Sequence, residues 1–233
     1  MNNQLLKLVS LLCLFLLERT NIQAQNSQVI ARYDLVISEI MADPTPSIGL
    51  PAAEYVELHN RLPFRITLTD WKLKLGNTTK SLPAFSIDSA GYIIIIAEKY
   101  VADFADICDN LCPLSSLSIT DAGQTIILYN ADNEVIHCVS FKQTWHSESI
   151  KRDGGWSLEM MDDDLPCLGS CNWNSSESSL GGTPGAPNSI RQIIGDSNPP
   201  TFERITLLDS LTLRLFFTEP VALETDTPQN LFT

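Results

Sequence analysis

The chain is poor in histidine, in basic residues and in long apolar runs. Only 3 of its 233 residues are His, and 15 Lys and Arg stand against 28 Asp and Glu, a formal net charge of −13. None of His59, His137 and His146 falls in an H-E-x-x-H pattern, and G-x-S-x-G and the phosphate-binding loop are absent as well. The common sequence marks of hydrolases and nucleotide binders are therefore missing. A surface this acidic is unsuited to neutralising phosphates, so nucleic acid is not an expected partner, and anionic lipid surfaces are disfavoured too. No apolar stretch reaches the roughly 20 residues that a membrane-spanning helix needs.

The longest apolar run, Leu8 to Leu17, follows Lys7 and leads through a polar stretch to Ile22-Gln23-Ala24, a small-residue cleavage site. That is the build of a secretory signal, so residues 1–24 are read as a signal peptide and the mature protein as secreted, periplasmic or at the bacterial cell surface, with no integral membrane segment. Cys13 lies inside the run after Leu12, whereas a lipoprotein cysteine follows a small residue at the end of its run.

Five cysteines follow the signal: Cys108, Cys112, Cys138, Cys167 and Cys171. The motifs CDNLC and CLGSC share a C-x-x-x-C spacing, which allows either two local disulfides or a four-thiolate metal site. Export favours disulfides, with Cys167 joined to Cys171, Cys108 to Cys112, and Cys138 left buried on its strand as a small hydrophobe. One local pair plus a Cys108–Cys138 cross-link is the alternative.

Apolar segments of strand length recur between turn signals: 35–41, 54–60, 66–75, 92–97, 117–120, 125–129, 135–141 and 156–160. Ile93 to Ile96 lack alternation and predict a central strand covered on both faces. Asn130-Ala131-Asp132-Asn133 predicts a hairpin turn, and 98–108 one short helix. The fold class expected is all-β, an antiparallel sandwich with Leu35, Ile37, Val56, Leu58, Trp71, Ile94, Ile127 and Trp156 in its core.

Two segments about a hundred residues apart bracket this domain. SEIMADP and EYVELHN lie in the first, and GWSLE and GGTPGAPNS in the second. Together they resemble the bacterial form of the lamin tail domain, an immunoglobulin-like sandwich, and the resemblance implies such a domain over residues 34–190, after a lead at 25–33. A linker, 191–200, ends in Pro199-Pro200. Residues 201–233 then read as a strand pair resembling the opening of a surface-layer-type immunoglobulin-like domain, too short to complete one.

Candidate chemistry is sparse. Glu39, Glu54, Glu57 and Glu159 lie on or beside strands that the resemblance brings together, so an acid/base pair can be written. The competing reading is that every second residue of a sandwich strand faces water and is often charged. His59 and His137 read as strand residues, and His146 as the least constrained ligand. Asp162, Asp163 and Asp164 form the densest oxygen cluster, a calcium candidate that lacks the D-x-D-x-D-G order of a dedicated loop. Trp145 and Trp173, in loops, are the tryptophans available for outside contact, and the glycines and prolines of GGTPGAPN serve to close a loop over the sandwich. The expected function is a non-catalytic interaction or spacer module without a cofactor, binding protein or cell-surface polysaccharide. An accessory domain of a larger secreted hydrolase or nuclease, and a calcium-dependent adhesion module, are the alternatives.

Overall fold

In the computed structural model, residues 30–195, 201–207, 209 and 211–217 are described. The expected signal peptide, the Pro199-Pro200 junction and the segment after Phe217 lie outside them. The strands in chain order are β1 (Leu35–Met41), β2 (Tyr55–Asn60), β3 (Ile66–Leu68), β4 (Lys72–Leu75), β5 (Thr78–Ser81), β6 (Phe85–Ile87), β7 (Tyr92–Ala97), β8 (Leu111–Leu114), β9 (Gly123–Tyr129), β10 (Val135–Lys142), β11 (Leu158–Met160), β12 (Trp173–Ser175), β13 (Phe202–Leu207) and β14 (Leu213–Phe217). A six-stranded sheet runs β12-β11-β1-β2-β7-β8 and a four-stranded sheet β10-β9-β4-β5. The pair β3–β6 and the hairpin β13–β14 form two small sheets.

Register decides which side chains face which layer, because neighbours on a strand point to opposite faces. On the four-stranded sheet Leu73, Leu75, Ile126, Leu128, Val139 and Phe141 are buried on one side. On the six-stranded sheet Ile40, Val56, Ile95, Leu58 and Ile93 share one face through the pairs Ile40↔Val56, Val56↔Ile95 and Leu58↔Ile93. These two apolar faces make the sandwich core. The opposite face of the larger sheet is covered too. Met41, Tyr55, Ile94 and Ile96 pack there with Leu50, Ala53, Phe104 and Cys108. Every residue of β1 and β2 is consequently buried, as are Ile93 to Ile96.

Several sequence expectations are corrected. The stretch 66–75 is two strands, because Asp70 adopts a left-handed backbone (φ 61°) that breaks the run. Residues 117–120 form no strand, and β5, β6, β8 and β12 were too short or too polar to stand out. The sheet is not antiparallel throughout, since β7 and β8 run parallel. Their connection holds a 3₁₀ turn, Glu98–Tyr100, and a four-residue helix, Val101–Phe104, in place of one longer helix. Ile127 and Trp156 are half-buried, not core. Ile127 stands opposite Cys138 on the outward face of β9 and β10, so Cys138 is exposed as well.

The expected bridges Cys108–Cys112 and Cys167–Cys171 are not formed; all five thiols are free. Cys108 belongs to the apolar cluster on the outer face of the larger sheet. Cys112 shares the register of Ile95, which faces the other way, so the sheet separates the two thiols. Cys167 instead lies beside the Tyr33 hydroxyl, whose pKa is raised by burial and then by this neighbour. Cys108 and Cys112 are buried, and burial pushes the Cys112 thiol up to about 12. Alkylation of the native, reduced chain should therefore label Cys138, Cys167 and Cys171 while sparing Cys108 and Cys112. Labelling of four or five thiols before unfolding, read by mass spectrometry, would contradict this packing.

Strand parity gives a second check. Leu128→Ala removes a fully buried side chain and should cost about 2–5 kcal/mol by chemical denaturation. Cys138→Ser, on the outward face of the neighbouring strand β10, should change stability by no more than about 0.5 kcal/mol.

Candidate functional site

The register of β11, β1 and β2 lines up three glutamates across the sheet, Glu159↔Glu39↔Glu57. All three are fully buried, at 0% exposure. They were expected to face water, and the reason they do not is that their face of the sheet is covered by loop. The segment 181–190, the GGTPGAPNS region, lies over them as a strap. Among the described residues no Lys or Arg forms an ion pair with any of the three.

Hydrogen bonds replace the missing cation. Glu39 Oε1 accepts from the Tyr55 hydroxyl at 2.7 Å, the Ser157 hydroxyl at 2.5 Å and the Thr183 backbone N–H at 2.9 Å. Glu57 accepts from the Ser38 hydroxyl at 2.6 Å and the Gly185 N–H at 2.7 Å. Glu159 Oε2 accepts from the Ser189 hydroxyl at 2.8 Å and the Ile190 N–H at 3.2 Å. The Thr183 hydroxyl lies 3.3 Å from Glu39 Oε2 and 3.0 Å from Glu159 Oε1. It carries one hydrogen, so a protonated Glu39 donating from Oε2 would leave that hydrogen for Glu159 Oε1.

Electrostatics agree with that geometry. Burial, then the charge of Glu159, raises Glu39 to about 7. Burial, then Glu39, raises Glu57 well above the carboxylate range. Glu54, the fourth candidate, stands apart; it accepts from the Ile119 N–H at 3.2 Å, and burial raises it.

Two glycines let the strap approach this closely. A Cβ on Gly182 would lie 2.5 Å from the Tyr55 hydroxyl oxygen and 2.7 Å from Glu39 Oε1. Gly185 has a left-handed backbone (φ 83°), and a Cβ there would meet Cys108 Sγ at 2.6 Å. Both positions need the absent side chain. The sequence reading of GGTPGAPN as a closing loop agrees with this placement; the carboxylates it closes on were not foreseen.

The remaining candidates are all engaged. His137 accepts from the Ile37 N–H at 2.8 Å through Nδ1, and burial lowers its pKa to about 4. His146 is buried against the Ser175 hydroxyl (2.9 Å), and burial, then Arg152, lowers it to about 4. His59 stacks on Tyr92 with centroids 4.4 Å apart, and its Nδ1 lies 3.1 Å from Asp163. Asp162, Asp163 and Asp164 cluster closely enough to hold an ion. Each has protein partners: Asp162 accepts from the N–H groups of Asp164 and Ile194, Asp163 pairs with His59 and Arg191, and Asp164 pairs with Arg61 at 2.6 Å. Calcium would have to displace these contacts. Trp173 is buried on β12 beside half-buried Trp145, centroids 6.1 Å apart, so packing takes up much of both rings.

Next to the row a small cleft opens between Ser38, His59, Tyr92, Met160, Asp163, Asn188 and Arg191. Sequence reading missed its Tyr92, Asn188 and Arg191, which lie far apart in the chain and carry no motif.

This is an immunoglobulin-like sandwich whose most acidic strand positions hold a loop in place and are closed to substrate. Residues 28–143 match the family model of the lamin tail domain. The chain belongs to the lamin tail domain family, a non-catalytic immunoglobulin-like family whose fold points to protein interaction. No curated protein matches the chain. The strands β11 and β12 and the strap lie beyond the matched residues, yet complete the same sheet and its cover. Among the described residues, no helix is long and apolar enough to cross a membrane.

The buried row fixes a pH dependence. Glu39 and Glu57 have folded pKa values above their ordinary range, so the folded chain holds protons that the unfolded chain releases; their contribution to stability is lost as pH rises, for Glu39 between about 4.5 and 7. His137 and His146 act oppositely, because their lowered values cost stability as pH falls from about 6.5 to 4. Above pH 6.5 the histidine contribution fades, and by about pH 7.5 it is nearly spent. The thermal midpoint should therefore fall from pH 6.5 to 8, and Glu39→Gln, which mimics the protonated acid, should flatten that slope. A midpoint rising over this range would overturn the assignment.

Proposed function

We propose that this chain is a non-catalytic interaction or spacer module of an exported, cell-surface protein, with residues 201–233 beginning a second immunoglobulin-like domain. The observation that carries the non-catalytic reading is the saturation of Glu39, Glu57 and Glu159 by protein donors at zero exposure. A general acid or base must reach a substrate proton, and these carboxylates reach only the strap. The composition of residues 1–24 supports export. The hairpin supports a second domain: its cross-strand pairs Ile205↔Leu215 and Leu207↔Leu213 set four exposed apolar side chains on one face, as half of a sandwich core would.

Two measurements test the proposal on the chain made with its own N-terminus in a secreting bacterial host. Exported protein should begin at Gln25, and it should not turn over phosphodiester, glycoside or peptide substrates. Retention in the cytoplasm would refute export. Turnover abolished by Glu57→Gln, Glu159→Gln or His146→Ala would refute the non-catalytic reading.

A further inference from the structure

Charge is distributed unevenly between the two broad sides of the sandwich. The strands of the smaller sheet, β4, β5, β9 and β10, contain Lys72, Lys74, Lys80 and Lys142 and no Asp or Glu, in a chain whose net charge is −13. Strand parity sorts these residues. Leu73, Leu128 and Phe141 are buried against the core, so their neighbours Lys72, Lys74, Tyr129 and Lys142 point outward. The register sets Lys72 opposite Tyr129 and Lys74 opposite Ile127. Ile127 and Tyr129 are half-buried on this face, and the Thr125 and Ser140 hydroxyls join beside them at 2.6 Å.

Among the described residues, no acid pairs with these lysines. Lys72 donates to a neutral acceptor, Asn133 Oδ1, at 2.6 Å, and Lys80 turns aside to the Ser116 hydroxyl at 2.9 Å. The acids nearest in sequence, Asp70, Asp121, Asp132 and Glu134, lie beside the strand ends. What remains is an apolar centre with cations around it, the anatomy of an interface.

The opposite side of the sandwich carries the reverse charge. There the connection between β7 and β8 packs Phe104 and Cys108 on the outer face of the larger sheet. It turns Glu98, Asp103, Asp106 and Asp109 to solvent, and none of the four forms an ion pair among the described residues. Its one base, Lys99, lies over the Tyr100 ring, 4.4 Å from the centroid. Ile107 is exposed on the same segment, an apolar counterpart to Ile127.

We propose that copies of this chain stack front to back, the lysine face of one against the acidic β7–β8 connection of the next. The proposal rests on the interaction-module reading and names a second copy as the partner. Charge complementarity selects that partner, because the chain itself supplies the acidic surface that its lysine face fits. The contact joins two different surfaces, so each copy keeps one of each free, and stacking continues as a file or ring and does not close as a two-fold dimer. The net charge of −13 opposes association at long range. At about 0.15 M salt, charges more than about 8 Å apart are largely screened, and the short-range complementarity remains.

Sedimentation velocity of the full chain tests this. Species larger than a dimer should grow with concentration at about 0.1 M salt and recede at about 1 M, as the Debye length falls from about 10 to 3 Å. Lys74→Glu combined with Lys142→Glu should sediment as a monomer, and so should Asp103→Lys combined with Asp106→Lys. Mixed together, the two variants should form a 1:1 dimer and nothing larger, since each retains the surface that the other has lost. Recovery of that dimer also shows that both variants are folded. Should either fail to fold, Lys74→Gln and Lys142→Gln remain, each expected to weaken association about two- to fivefold, the scale of one exposed ion pair. A wild-type chain that stays monomeric up to about 1 mM, the weak end of the affinity scale, overturns the proposal. So does association that salt and both sets of variants leave unmoved, or a wild-type assembly that stops at the dimer. A monomer that instead binds polygalacturonate or a poly-glutamate peptide through Lys74 and Lys142 gives the face to an outside partner and overturns it as well. None of these results touches the non-catalytic reading, whereas substrate turnover would remove that reading whatever the lysine face meets.

Discussion

Three carboxylates packed side by side away from water form no ion pair with a lysine or arginine among the described residues, and the rest of the domain is arranged around that demand. An uncompensated carboxylate in a dry interior is among the most costly groups a protein can bury. The solution is a set of donors from both sides: Tyr55, Ser38 and Ser157 from the sheet, and Thr183, Gly185, Ser189 and Ile190 from the strap. A retained proton reduces the repulsion within the row, in keeping with the raised values of Glu39 and Glu57. The strap has no strand ladder of its own, so these bonds are also what fix its path. Sheet and strap therefore satisfy each other, and neither face can be exchanged independently.

That mutual dependence explains why segments so distant in sequence carry the domain's most distinctive residues. Glu39, Glu57 and Glu159 come from β1, β2 and β11, and the strap follows β12. Contacts of this kind close very long loops; Gly185 to Glu57 spans 128 residues. The two glycines without which the strap could not approach, Gly182 and Gly185, sit opposite Glu39 with Tyr55, and opposite Cys108. A side chain at either would push the donors away from the acids, and the cost would fall on the carboxylates more than on the loop.

Much of the architecture was legible in the sequence because the sheet is buried on both faces. Runs such as LVISEIM and YIIIIA need no alternation to be recognised, and β1 and β7 agree with them to the residue. The same burial defeated the reading of the glutamates. A charged residue in a strand is ordinarily a sign of a wet face, and SEIM, VELH and LEMM were weighed on that basis. The signal available was that Glu57 and Glu159 each stand between two apolar residues, and that Glu39 stands in a strand whose other positions, Ser38 excepted, are apolar. Strands β5 and β12, with sequences TTKS and WNS, are held by their neighbours' hydrogen bonds and had no hydrophobic pattern to show. The cysteines misled for a different reason. A C-x-x-x-C spacing reports distance along the chain, but Cys112 lies on a strand whose pleat turns it from Cys108, and chain spacing does not encode which side of a sheet a thiol faces.

The cleft follows from the same geometry. Asn188 ends the strap by bonding two backbone carbonyls, Ser38 on β1 and Met160 on β11, and in doing so it seals the edge of the carboxylate row. Its amide hydrogens are consumed by that structural task, and its oxygen is buried without a protein donor. The donors that satisfy the buried row stop at Ser189 and Ile190; one step further on, Arg191 already reaches toward Asp163 from outside. The domain's inner carboxylates are closed by its own strap, and Asp163, nearer the rim, is met by His59 and Arg191 of the same chain.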